Sequence, residues 1–319
     1  MIDDVQRPGI ARANVCFFIA AAGLISLDVI APFIAGLIAA MGIDISSAGM
    51  LCLVDVLYYV PCALVPVCLF ARRYGSAGLR PGPVSLKQTF QCIAAAYLCV
   101  MLANALAGLW SVLLESLGLT LYGADIPMGS KGELMVSIVA VAVLPGICEE
   151  LLFRGMVLGA YERGGTRFGI IVSSVLFAVL HGSLQGLPAQ LVIGMILGCA
   201  VCRTGSIYIS MMIHTAYNAF ILIINYAAQD IVADSTETFY DAIGGIGMIT
   251  LVIEAIIAGM LLRLILLSFK RQGIMQGVMP VRRTPIKFGK AAIAALALGI
   301  LAVCWLYTQD YMLLAGYGV

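Results

Sequence analysis

Two adjacent glutamates and both histidines of this chain lie inside apolar stretches. The glutamates are Glu149 and Glu150, and the histidines are His181 and His214. An ionisable side chain in a bilayer costs several kcal/mol unless it is paired or hydrated, so such residues usually mark function. Carboxylates and imidazoles are also the groups that take a proton from water in general-base catalysis. These residue types therefore predict a buried site for hydrolysis.

The spacing within each polar cluster indicates which side chains can meet. Glu150 and Arg154 are four residues apart, so on a helix Arg154 can neutralise Glu150. Glu149 points about 100° away from Glu150 around the helix axis and is left for chemistry. His214 and Asn218 have the same spacing, which lets an imidazole and a carboxamide present hydrogen-bond donors to one small volume.

Depth along the helices allows the three clusters to share one cavity. At about 1.5 Å per residue from the expected cytoplasmic helix ends, Glu149, His181 and His214 lie roughly 18, 20 and 12 Å deep. Phe177 precedes His181 by one turn and is expected to brace its ring or to wall off the cavity.

Less specific interpretations stay open at this level. Glu150 with Arg154 can be an ordinary structural ion pair, and a histidine in a membrane helix is often only a helix-to-helix hydrogen-bond partner. Other intramembrane charges keep a transporter or ion-coupled channel open as a second class, namely Asp28, Asp55, Glu115, Glu254 and Arg263. A third class is a non-catalytic scaffold or bacteriocin immunity protein.

The composition indicates the class of protein around these clusters. Hydrophobic residues make up 62% and charged residues 11% of the 319 residues, with a mean hydropathy of +1.05, which is too apolar for a soluble domain. We predict an all-α, polytopic transmembrane bundle of about 8–9 helices with an intramembrane active-site cavity. The nine apolar stretches lie at about 13–40, 48–71, 88–110, 134–161, 168–182, 188–203, 206–228, 243–269 and 290–308. The first of these stretches is too long for the apolar core of a signal peptide and is expected to be retained.

Basic residues predict the orientation of the bundle. Of the 18 Lys and Arg residues, Lys131 falls in an external segment, Arg154 and Arg263 fall within helices, and the other 15 fall in cytoplasmic segments. The positive-inside rule then predicts a multi-pass protein of the plasma membrane with a cytoplasmic N-terminus and an external C-terminus.

Small residues and cysteines indicate packing. The pairs Gly155/Gly159 and Gly194/Gly198 would let neighbouring helices approach closely, whereas Gly182 and Gly186 are expected in a turn. The ten cysteines all fall in apolar stretches and are expected to pack as small hydrophobes, including the pair Cys199 and Cys202.

The three polar clusters together resemble the CAAX prenyl endopeptidase and bacteriocin-processing family of intramembrane proteases, also called the CPBP or ABI family. The family pattern is E-E-x-x-x-R, then F-x-x-x-H, then H-x-x-x-N or H-x-x-x-D. The resemblance covers about residues 134–226 as a protease core, with transmembrane helices only in residues 1–133 and 227–319. The matching positions are Glu149, Glu150, Arg154, Phe177, His181, His214 and Asn218.

The resemblance implies a glutamate-dependent endopeptidase. Glu149 with His181 would hold and deprotonate the attacking water. His214 and Asn218 would donate hydrogen bonds to the developing oxyanion. The other three motif residues would be structural support, namely Glu150, Arg154 and Phe177.

The sequence leaves the cofactor and the substrate open. Glu149, His181 and His214 can also supply three ligands to zinc with a water in the fourth position, so a zinc-dependent protease is the alternative to a scheme that needs no cofactor. The expected partner besides the lipid bilayer is a membrane-associated peptide or protein, prenylated or not, and no nucleic acid. The oligomeric state is left open.

Overall fold

The computed structural model describes residues 9–42, 64–69, 79–119, 129–232, 239–278 and 289–316, together with single positions 56, 61, 72, 121 and 281. The described part of the chain is helical and contains no named β-strand. The helices whose bounds the structure gives are α1 Ile10–Ala40, α2 Leu86–Ser116, α3 Lys131–Gly164, α4 Thr166–Leu180, α5 Leu187–Thr204, α6 Ile207–Val232, α7 Phe239–Met275 and α8 Lys290–Leu314.

Most of these helices are long and apolar enough to cross a membrane. Among the described residues, six helices meet that criterion: α2, α3, α5, α6, α7 and α8. Two shorter apolar helices are Ile10–Gly23 and Thr166–Leu180. The predicted all-α, polytopic membrane protein is confirmed. Eight of the nine predicted stretches coincide with described helices, whereas the stretch 48–71 lies mostly outside the described residues.

The helix α4 is too short to span the bilayer, and its length determines the depth of His181. Its 15 residues extend about 22 Å, less than the roughly 30 Å of hydrocarbon. The chain then turns at Gly182, which has a φ of 64°, and returns as α5. His181 directly follows α4 and therefore lies within the membrane depth.

The site-bearing helix α3 is irregular on both sides of its glutamates. It widens to a π-helix at Ile138–Val143, returns to an α-helix at Leu144–Glu150, and widens again at Leu151–Val157. Pro145 accounts for the first widening, because it has no N–H for the carbonyl four residues earlier and its ring would clash with that carbonyl. π-Helical turns are frequent at functional sites.

Two core clusters flank the site. The first joins α1, α3, α4 and α8 and includes Phe17, Phe153 and Val303. The second joins α2, α5, α6 and α7 and includes Leu197 and Phe269. The hairpin of α4 and α5 connects these two clusters, so helices from both sides meet around the polar residues.

Glycines let the two helices of the hairpin pack closely. A Cβ atom on Gly194 would lie 3.1 Å from the Cβ of Ser174, and one on Gly198 would lie 3.3 Å from Ile170. This confirms the close approach that was predicted for Gly194/Gly198. Gly155 instead packs against Leu79, in the segment before α2.

Polar contacts anchor the outer elements to α3. The buried Tyr161 hydroxyl donates to Asn14 Oδ1 at 2.6 Å, and Asn14 Nδ2 donates to the carbonyl of Ala292 at 2.9 Å, which joins α3 to α1 and α8. At the end of α3, Glu162 pairs with Arg80. Burial opposes the charge of the Arg80 guanidinium, but Glu162 and Cys202 together outweigh this effect, so the pKa of Arg80 is raised.

The structure describes three of the other intramembrane charges that the sequence singled out. Glu115 and Glu254 are half-buried and Arg263 is exposed. Asp55 and the side chain of Asp28 lie outside the described residues. Eight cysteines within the described residues are free thiols, including Cys199 and Cys202.

The orientation of the bundle stays a prediction that fusion reporters test. A reporter fused after Lys290 is expected in the cytoplasm, and reporters at Thr236 or after Val319 outside, because cytoplasmic segments hold 15 of the 18 basic residues. Activity of cytoplasmic and external reporter enzymes measures this. A cytoplasmic signal from the Val319 fusion would contradict the predicted number of crossings.

Candidate active site

A buried carboxylate lies at the centre of the polar cluster. Glu150 Oε1 accepts a hydrogen bond from Arg154 Nη1 at 2.7 Å and lies 3.0 Å from Nδ1 of His214. The side chains of Glu150 and Arg154 are fully buried and that of His214 is 4% exposed. The ion pair predicted from the spacing of Glu150 and Arg154 is therefore present, and α6 is attached to it through His214.

Arg154 receives two further contacts that compensate for its burial. Its Nη2 donates to the carbonyl of Gly194 in α5 at 3.1 Å. Its guanidinium carbon lies 4.4 Å from the ring centroid of Phe177, within the range of a cation–π interaction. Phe177 thus supports Arg154 as well as His181, a contact that the sequence motif did not indicate.

The imidazole of His181 has a defined orientation. Its Nδ1 lies 2.8 Å from the carbonyl oxygen of Phe177, one turn earlier. A carbonyl only accepts, so Nδ1 carries the proton and, in the neutral ring, Nε2 is the acceptor. The ring centroids of Phe177 and His181 are 4.6 Å apart, which is the bracing contact that the sequence predicted.

Glu149 lies between the two histidines. Its Oε2 is 3.9 Å from Nε2 of His181 and 3.8 Å from Nε2 of His214. Both distances are too long for a direct hydrogen bond but match groups that one water can bridge. The side chain of Glu149 is 13% exposed and that of His181 30% exposed, so this side of the cluster is the more accessible one.

Asn218 contacts a different part of the site. Its Nδ2 donates to the carbonyl of Val141 at 3.1 Å, in the first π-helical segment of α3. Pro145 explains this bond, because the regular donor to that carbonyl would be the N–H that proline lacks. The structure therefore places Asn218 against the distorted backbone of α3 about two turns before Glu149, and one turn from His214 on its own helix.

Gly146 brings α3 and α6 together and was missed by the sequence reasoning. A Cβ atom there would lie 2.2 Å from Thr215 Oγ1 and 2.9 Å from its backbone nitrogen. Because Thr215 follows His214, this close approach holds His214 beside the glutamates. The signal in the sequence was the Pro145–Gly146 pair within an apolar helix.

The side chains were also assessed as a metal site. Within the described residues, no three His, Cys, Asp or Glu side chains converge closely enough to hold a metal ion. The Nε2 atoms of both histidines face Glu149 Oε2, and their Nδ1 atoms contact Glu150 and a carbonyl, which is also the usual contact of the second ring nitrogen of a zinc-bound histidine. The zinc alternative therefore stays a prediction, and we derive no step through zinc.

An apolar cavity of about 1000 Å³ lies between α3, α6 and the chain around the start of α2. Its lining includes Pro81, Pro83 and Met211, and it reaches Ile147 and Thr215. Ile147 is two residues before Glu149 and Thr215 follows His214, but none of the motif residues lines the cavity.

Removal of either partner of the buried pair is expected to destabilise the fold. Glu150→Ala or Arg154→Ala leaves a buried charge without its partner, which typically costs about 3–5 kcal/mol. Arg263→Ala is the matched control, because Arg263 is exposed on α7. Melting temperatures in detergent measure the effect, and the double variant should lose less than the sum of the single variants. Equal melting temperatures for Arg154→Ala and Arg263→Ala would contradict this role.

Comparisons with known proteins cover the segment that carries these residues. The family model described as type II CAAX prenyl endopeptidase Rce1-like matches residues 131–220. The chain is also 24% identical over 171 residues to a Bacillus subtilis (strain 168) protein named "Putative membrane peptidase YdiL", an alignment that covers 53% of this chain and 70% of that protein. No solved structure matches. The matched segment contains every motif residue from Glu149 to Asn218, so residues 131–220 are similar to the type II CAAX prenyl endopeptidase Rce1-like family.

Proposed function

We propose that this protein is an intramembrane endopeptidase that hydrolyses a peptide bond of a membrane-associated or prenylated substrate with a water activated by Glu149. The observation that carries the proposal is the position of the Glu149 carboxylate, within 4 Å of the Nε2 atoms of both histidines. The family match supports a protease in general.

The proposed reaction begins with a water between Glu149 Oε2 and His181 Nε2. Both atoms are acceptors, so the water donates one proton to each and directs its lone pair away from them. Glu149 takes the proton as the oxygen attacks the scissile carbonyl carbon. The same carboxyl group then gives the proton to the leaving amine, which restores the carboxylate.

The oxyanion is assigned to His214 and Asn218. Since Nδ1 of His214 donates to Glu150, donation from Nε2 to the oxyanion requires a proton on each ring nitrogen. One N–H of the Asn218 carboxamide donates to the carbonyl of Val141. The second N–H of the same carboxamide can then donate to the oxyanion. In this proposal Glu150 and Arg154 hold His214 in place and take no proton from the substrate.

The substrate class rests on the apolar cavity between α3, α6 and the start of α2. Ile147 of α3 and Thr215 of α6 line part of it, and Pro81 and Pro83 line another part. A lipid chain on the substrate would be buried by such a surface, at about 25 cal/mol per Å² of apolar area. We therefore expect a lipidated peptide to bind more tightly than the same peptide without its lipid.

Replacement of Glu149 is expected to abolish hydrolysis while the protein stays folded. Glu149→Gln keeps the size of the side chain and removes the base, so turnover should fall to background. The assay uses purified protein in lipid vesicles with a fluorogenic farnesylated peptide that ends in a CAAX sequence, beside its unfarnesylated counterpart. In cells, membrane peptides are compared by mass spectrometry between the normal protein and Glu149→Gln.

The control for this experiment is Glu254→Gln, which changes a half-buried glutamate of α7. The Glu254→Gln variant should keep the activity of the unchanged protein. The Glu149→Gln variant should keep the melting temperature of the unchanged protein. Full turnover by Glu149→Gln would refute the enzyme proposal. Equal KM values for the two peptides would refute the lipidated substrate class alone.

The two oxyanion residues are expected to behave alike. His214→Ala and Asn218→Ala should each reduce kcat by roughly 10² to 10³ with little change in KM, because the bonds form only as charge develops. Metal analysis of the purified protein and both variants separates this scheme from the zinc alternative. Stoichiometric zinc that is lost with His214→Ala and kept with Asn218→Ala would overturn the proposed mechanism.

A further inference from the structure

We infer that Asp310 and Trp110 are positioning residues that hold the turn after His181 and thereby fix its imidazole against Glu149. This inference rests on the proposed function for its kinetic consequence. Both residues lie outside residues 131–220, so the family match carries no information about them.

The anchor of this turn is the peptide unit of Leu184. Its N–H donates to Asp310 Oδ2 of α8 at 2.6 Å, and its carbonyl accepts from the indole Nε1 of Trp110 in α2 at 2.9 Å. Two helices thus satisfy both backbone groups of one residue three positions after His181. Buried backbone groups need such partners, and an acid in a membrane helix is costly unless it serves such a role.

Other contacts from α8 hold the same turn. The hydroxyl of Tyr307 donates to the carbonyl of Ala178 at 3.4 Å, in the last turn of α4. A Cβ atom on Gly182 would lie 3.0 Å from Cβ of Leu306. The face of α8 that carries Asp310 is therefore packed along the segment that contains His181.

The anchored turn completes the contacts that hold His181. Its backbone N–H bonds to the carbonyl of Ala178, and its side chain is 30% exposed. The bond from Nδ1 to the carbonyl of Phe177 sets the rotation of the ring, and the bonds at Leu184 hold the chain that follows it. A displacement of about 1 Å at such a residue can cost 10²-fold in rate.

Kinetic variants test the inference in the farnesylated-peptide assay. Asp310→Leu removes the acceptor and should lower kcat by about 10- to 100-fold with KM changed less than about threefold. Asp310→Asn keeps an oxygen acceptor and should restore kcat to within a few-fold of the unchanged protein. Trp110→Phe, which loses the N–H together with part of the aromatic ring, should lower kcat by several-fold. The control is Thr308→Val, since Thr308 is exposed on α8 and its hydroxyl bonds only to the nearby carbonyl of Trp305.

An NMR measurement tests the same inference without a substrate. The chain has two histidines, so protein labelled with ¹⁵N in the imidazole rings gives signals from His181 and His214 alone, assigned with His181→Ala. Asp310→Leu should shift or broaden the His181 signals and leave those of His214 in place, and Asp310→Asn should resemble the unchanged protein.

The outcomes distinguish this inference from the proposed function. An active protein in which Asp310→Leu leaves kcat and the His181 signals unchanged would overturn the inference alone. Equal shifts of both histidines with a lower melting temperature would also overturn it, because they indicate a general loss of structure. If Glu149→Gln retains full turnover, the proposed function fails, and the His181 signals still decide whether Asp310 positions that ring.

Discussion

The site depends on one buried carboxylate. Glu150 is fully buried and lies within hydrogen-bond distance of both the Arg154 guanidinium and the His214 imidazole. A charge at that depth is tolerated only when it is paired, and removal of one partner would leave the other uncompensated. Because Arg154 also reaches the carbonyl of Gly194 and the ring of Phe177, a single ion pair connects α3, α4, α5 and α6. The fold is thus held together at the point where the chemistry is proposed to occur.

The shape of α3 determines how α6 packs against the two glutamates. Pro145 removes a backbone N–H, the helix widens before the glutamates, and Asn218 donates to the released carbonyl of Val141. Gly146 then lets α6 approach so closely that His214 lies beside both glutamates. A regular helix with a side chain at position 146 would keep α6 at a greater distance. The distortion therefore has a structural cause and a direct effect on the geometry of the site.

The sequence predicted the parts of this arrangement that follow from local spacing. Helical periodicity and hydropathy were sufficient for the all-α membrane bundle, for the Glu150–Arg154 pair and for the contact of Phe177 with His181. The bond from Asn218 to Val141 and the dual contact of Arg154 depend on how helices distant in the sequence pack, which no local pattern encodes. The roles of the motif residues in catalysis remain predictions, since geometry alone does not measure a rate.

The position of the site is also determined by helices that carry no motif. Tyr161 at the end of α3 is hydrogen-bonded to Asn14 of α1, which is bonded to the backbone of Ala292 in α8. The same helix α8 holds Leu184 through Asp310. Residues 131–220 contain every proposed catalytic group, and the contacts from outside that segment add to direct contacts between α3 and α4 such as the bond from Ser173 to the carbonyl of Phe153. Because the proposed water activation requires Glu149 and His181 at matched heights, this proposal makes the outer helices part of the catalytic structure rather than a membrane anchor alone.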